Sequence, residues 1–231
     1  MQETKHLDIT IDFETCGLTA SSAPMMVALV PWNRFAGEDP FLSNDDIEPL
    51  VMYVDLRTCV VDGFDFDPKT LRWWSHQSKA ARDAVTHGFA EPVQDVIVGV
   101  VNYLRSLMWS FHLDSICLWS QGELDIAMLR YMATKYDIDL DDVILHTQFR
   151  DARTVILEAA LIEARRSIEG KSTRANGIVT SNQILAGSYN VYKMFGPLPA
   201  RYTNNSEAHD ALYDAIRTSW NTWQALRLFS L

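Results

Sequence analysis

The chain opens on a β-branched run, residues 7–13 (LDITIDF), bounded by polar segments, and this pattern predicts a strand. Residues 25–31 (MMVALVP) and 50–56 (LVMYVDL) predict two more strands. The polar stretch 33–48 between them holds Gly37, Pro40 and Asn44 and reads as a loop. The period then lengthens. Residues 67–85 (DPKTLRWWSHQSKAARDAV) offer Asp67 as a helix cap and Pro68 at the first helical position, with a second short helix starting at Ser78. Val93, Val96, Ile97, Val100, Val101, Leu104, Leu107 and Met108 predict a long helix over 92–112. A short apolar strand at 115–119 (SICLW) precedes a helix from Glu123 to Tyr136, another over 151–166 and a last from Glu207 to Leu228. Strands followed by strand–helix alternation predict an α/β fold, a mixed sheet flanked by helices. The segment 167–205, rich in Gly, Ser, Thr and Asn, is the least regular and a candidate to face substrate. No linker divides the 231 residues, so a single domain over 1–231 is expected.

Hydrophobic residues make up 48% of the chain, enough for a packed core and too many for disorder. A formal net charge of −10 argues against a protein that coats nucleic acid through a basic surface. It does not argue against a nuclease, because carboxylates that gather divalent metals make the metal-free site acidic. The three cysteines, Cys16, Cys59 and Cys117, match no zinc spacing, and a reducing compartment is the simplest reading. The first residues form no cleavable apolar leader, and no apolar run approaches the ~18 residues of a membrane span. A soluble cytoplasmic protein with no membrane partner is expected.

Three places carry candidate chemistry. Asp12 and Glu14, two apart on the first strand, share one face. Paired like charges are costly there unless a cation lies between them, although an acidic strand end facing solvent fits the same pattern. Asp125 falls in the first turn of the helix after the strand 115–119, where the helix dipole alone would favour an acid. Asp214 follows His209 by five residues in EAHDALYDAIRTSW, among apolar Ala211, Leu212, Ala215 and Ile216, where an unpaired acid is expensive. An imidazole suits the deprotonation of water, although a lone histidine is more often structural. Trp109, Trp119, Trp220 and Trp223 lie on apolar faces and are read as core.

Together, in order and spacing, these residues resemble the DEDDh exonuclease superfamily: D-x-E on the first strand, an acid after a central strand, and H-x-x-x-x-D on a late helix. TCGL after the first motif resembles the family's T-x-G-L, whose leucine wedges at terminal bases; here that is Leu18. DPKTLRWWSHQSKAAR (67–82) and FRDARTVIL (149–157) resemble a phage and bacterial subgroup that includes phage T4 exonuclease A, exodeoxyribonuclease VIII-like domains and a mycobacterial exoribonuclease-like family. SQGELD departs from the family's G-x-x-F-D, with Leu124 in place of an aromatic residue. The resemblance implies a ribonuclease H-like fold and a two-metal 3′→5′ exonuclease releasing nucleoside 5′-monophosphates. Asp12, Glu14, Asp125 and Asp214 would hold two Mg²⁺ (or Mn²⁺), with His209 as general base and Glu14 also contacting the terminal 3′-OH. Trp74, Gln77 and Arg153 join Leu18 as candidate substrate-binding residues, and at least one of Trp73 and Trp74 should be core, since neighbours on a helix point apart. Single-stranded nucleic acid 3′ ends are the expected partner, DNA from the phage-like members or RNA from the mycobacterial one. A homodimer is a possibility by analogy.

Overall fold

A computed structural model describes residues 5–41, 47–86, 89–168, 195, 198–203 and 209–229. A six-stranded sheet forms its frame. Strands β1 (His6–Thr15), β2 (Pro24–Trp32) and β3 (Leu50–Val54) pair antiparallel in succession. The two-residue β4 (Ala90–Glu91) lies parallel beside β3. On the other side of β1, β5 (Ser115–Ser120) and β6 (Phe149–Asp151) add in parallel, giving the order β4-β3-β2-β1-β5-β6. Helices α1 (Leu56–Val61), α2 (Pro68–Ser75), α3 (Lys79–Ala84), α4 (Val93–Ser110), α5 (Leu124–Lys135), α6 (Ala152–Ile168) and α7 (Ala211–Phe229) surround it. The mixed α/β sheet with flanking helices is the architecture the pattern predicted.

β1 divides the interior. Leu7, Ile9, Ile11 and Phe13 are buried in the main apolar cluster with α4 and α5. His6, Asp8, Thr10, Asp12 and Glu14 take the opposite face by strand alternation. That face is covered by α7, whose Ser219 Oγ donates to Thr10 Oγ1 at 2.8 Å. On α4, Val93, Val96, Ile97, Val100, Val101, Leu104 and Leu107 are all buried, and Met108 packs at the margin. Asp67 caps α2 through the N–H groups of Lys69 and Thr70, and Ser78 caps α3 through that of Ala81, as expected.

Several expectations are corrected. The third strand ends at Val54 rather than 56, because the Asp55 side chain accepts the Arg57 N–H at 3.0 Å and starts α1. β4 and β6 were not predicted; at two and three residues they are too short to show a period. Trp119 and Trp223 are core, but Trp109 is 83% exposed. It follows Leu107 by two positions, about 200° round the helix, and so faces away from the sheet. The last helix is described from Ala211; the predicted start at Glu207 lies outside the described residues. So does most of the segment 167–205. Among the described residues, no helix is long and apolar enough to cross a membrane. The three cysteines are buried and free.

Candidate active site

Asp12 and Glu14 leave one face of β1 near its end, and Phe13 between them enters the core. The sheet brings Asp125 to them. Because β5 runs parallel to β1, the turn after β5 emerges at the same end of the sheet. Gly122 takes φ 95° in that turn, a conformation glycine adopts without a Cβ clash. Asp125 then sits buried in the first turn of α5, and its Oδ1 accepts the Phe13 N–H at 3.0 Å. The second acid is thereby tied to the backbone between the two acids of the first motif.

Asp214 comes from the first turn of α7, and its Oδ2 accepts the His209 N–H at 3.0 Å. His209 has φ 70°, a left-handed conformation that costs a residue with a Cβ and persists only where its surroundings enforce it. Ligand atoms of Glu14, His209 and Asp214 lie within 4.8 Å of one another. Asp12 and Asp125 lie outside that triple but inside its electric field. Burial, then Asp125, Glu14 and Asp214, push the Asp12 carboxyl well above the usual range. Glu14 is pushed up to about 8 by burial and then by Asp214 and Asp125. Asp125 rises to about 7 through burial, although the Phe13 N–H pulls it down. Asp214 also rises, chiefly through burial, against the His209 N–H. Buried carboxyls that hold one another protonated are a charge problem that a divalent cation solves. The donor set, carboxylate oxygens with one imidazole, suits Mg²⁺ or Mn²⁺.

The sequence reading missed Asp210. Its carboxyl adds to the field on Asp12 and Glu14, is itself raised by burial, and accepts the Leu212 N–H at 2.9 Å at the start of α7. Placing the helix start at Glu207 hid it; an acid directly before an apolar helical run was the available signal.

The candidate substrate residues separate. Leu18 is 76% exposed in the loop after β1. Trp74 does not present an open indole: it is buried and its Nε1 donates to the Thr15 carbonyl at 2.9 Å. Trp73 is the exposed member of the pair and stacks edge-to-face on His209, with ring centroids 4.7 Å apart. Gln77 uses its side-chain amide on the Trp73 carbonyl at 3.1 Å. Arg153 lies exposed at the start of α6, beside β6 and two strands from β1. Asp151, which accepts the Arg153 N–H, also accepts the Gly122 N–H at 3.0 Å and so braces the turn before α5.

A second polar group occupies the opposite end of β1. His6, Asp8 and Cys117 offer ligand atoms within 4.8 Å of one another. Burial pushes the Asp8 carboxyl up, but Arg34 and His6 outweigh it and hold the carboxylate below its usual range. Arg34 and the Trp119 indole N–H both bind Asp8, so its oxygens are already committed.

Comparisons with known proteins give this chain a family and its fold a likeness. The model of a family described as the 3′-5′ exoribonuclease Rv2179c-like domain matches residues 7–226. E. coli Exonuclease I in complex with a dA16 oligonucleotide superposes with a TM-score of 0.53 at 17% identity, over 98% of this chain and 42% of that one. The zinc ion bound form of the E. coli ExoI–ssDNA complex gives 0.50 at 13%, over 98% and 41%. An ExoI/SSB-Ct complex gives 0.53 at 14%, over 98% and 43%. These likenesses show a shared fold, and the chain spans about two fifths of the length of those chains. No curated protein matches it by sequence.

Proposed function

Because the chain belongs to the Rv2179c-like 3′-5′ exoribonuclease domain family, we propose that it is a divalent-metal-dependent 3′→5′ exonuclease that shortens single-stranded RNA and releases nucleoside 5′-monophosphates. The observation that carries this reading is the meeting of Asp12, Glu14, Asp125 and Asp214 with His209 at one end of β1.

Asp12, Glu14, Asp125 and Asp214 would hold two Mg²⁺ or Mn²⁺ ions. Bound there, such ions supply Lewis acidity at the scissile phosphate and lower the pKa of a bound water. His209 stands beside Glu14 and Asp214 to take the proton of the attacking water. Glu14 would also meet the terminal 3′-OH, which would make the reaction start at an end. Leu18, exposed in the loop after β1, would wedge against the terminal base.

The family's description as exoribonucleases favours RNA over the DNA expected from the phage-like tryptophan block. The ExoI–ssDNA structures share the fold alone at this identity. The test is a digestion series with single-stranded RNA and DNA, each labelled at the 5′ or the 3′ end, in Mg²⁺, Mn²⁺ or EDTA. The expected result is stepwise shortening of RNA from its 3′ end, abolished by EDTA and by Asp12→Ala or Asp214→Ala. Activity in EDTA, or undiminished activity in either variant, overturns the metal-dependent mechanism; exclusive digestion of DNA overturns the RNA assignment alone.

A further inference from the structure

The paired tryptophans carry no group that acts on a phosphodiester, yet they join the first motif to the third. Trp74 hangs from β1 through its hydrogen bond to the Thr15 carbonyl, one residue beyond Glu14. Trp73 stands on Trp74 edge-to-face, with centroids 5.0 Å apart and planes at 77°. His209 meets Trp73 in the same manner, at 4.7 Å and 86°, and Trp74 more distantly, at 6.2 Å and 79°. Gln77 holds the Trp73 carbonyl at the end of α2. His209 needs such a support. Its backbone is pinned by the bond to Asp214, but that bond leaves the ring free to turn about the side-chain torsions. An indole against the ring removes that freedom, and edge-to-face pairs are favourable beyond their buried area.

We infer that Trp73 is a positioning residue for the His209 imidazole, and that the tryptophan pair is a bracket transmitting the position of β1 to the general base. The inference rests on the reading of His209 as that base. Trp73 keeps 43% of its surface exposed, so stacking of a substrate base is the competing role for the same indole, and the two roles predict opposite kinetics.

The test is steady-state digestion of a single-stranded oligoribonucleotide in Mg²⁺ by the Trp73→Ala, Trp73→Phe and His209→Ala variants and the Trp73→Ala/His209→Ala double variant. Melting temperatures confirm that each is folded. A displaced base costs up to about a hundredfold, so Trp73→Ala is expected to lower kcat by roughly 10- to 100-fold with KM almost unchanged. Trp73→Phe, which keeps a ring edge against the imidazole, is expected to recover most of the loss. In the His209→Ala background, Trp73→Ala is expected to cost nothing more, because it acts through the missing ring. A raised KM with kcat retained, an additive loss in the double variant, or equal loss in the alanine and phenylalanine variants overturns the inference. Full turnover in His209→Ala alone overturns the reading of the base itself and is distinguishable from those results.

Discussion

At Asp125 one carboxyl serves both the backbone and the charge cluster. It accepts the Phe13 N–H, which burial would otherwise leave unpaired, and it crowds Asp12 with a like charge. Asparagine keeps the accepting oxygen and removes the charge. Asp125→Asn is therefore expected to melt at a higher temperature than the natural protein without metal, and to lose at least ~10²-fold in turnover with it. Asp125→Ala, which orphans the Phe13 N–H, is expected to forfeit that gain by about 1–3 kcal/mol in denaturant titration. An unchanged melting temperature in Asp125→Asn would mean that like-charge repulsion is not what this site costs the fold. At this scale the sequence was legible only collectively. Asp12, Asp125 and His209 each had a plain structural alternative, and their order along the chain is what separated them from it. Which tryptophan is buried was not legible, because adjacent helical residues differ by about 100° and the answer depends on how α2 is rolled against β1.

Among the elements, β1 organises both polar centres. Its inward alternate face runs from His6 and Asp8 through Thr10 to Asp12 and Glu14, so a salt-bridged end and an acid-rich end share one strand. At the first end Arg34 compensates a fully buried Asp8. Removing Arg34 leaves Asp8 to His6 and the Trp119 N–H alone, so Arg34→Met is expected to destabilise the fold in urea titration by less than the ~3–5 kcal/mol of a wholly uncompensated buried charge. Its kcat is expected to stay near the natural value in stabilising buffer, since Asp12 and Glu14 lie at the other end of the strand. Adding Asp8→Leu is expected to recover part of the stability; no recovery would show that Arg34 holds the strand by something other than this charge. Long periodic elements were readable from sequence: α4 shows its whole buried stripe, and the caps of α2 and α3 are where Asp67 and Ser78 put them. β6 was not, because at three residues it shows no repeat and it ends where Asp151 bonds the Arg153 N–H.

Across the whole molecule, charge couples stability to metal. The chain carries a net −10, and part of that is concentrated in carboxyls the fold holds too close together. Glu14 has an ordinary pKa of 4.5 and rises to about 8 when folded, so the folded state binds its proton more tightly than the unfolded chain does. The sign follows: in the absence of metal this contribution is complete below pH 4.5 and is lost as pH rises through about 8. Asp125, raised to about 7, adds in the same direction. The metal-free protein is thus expected to melt at progressively lower temperature as pH is raised across that window. Mg²⁺ or Mn²⁺ is expected to restore several degrees at the alkaline end and little at the acid end. Differential scanning calorimetry with EDTA or with metal checks both; a metal effect independent of pH would separate the metal from these carboxyls.

The sheet order has a consequence for synthesis. β1 lies between β2 and β5, and the last described helix lies over its polar face, so Asp12 and Glu14 wait for His209 and Asp214, which are translated long after them. Until α7 has left the ribosome the chain lacks two members of the proposed site, His209 and Asp214. On the proposed reading, a nascent chain that has not yet reached α7 cannot cut the messenger it is being read from.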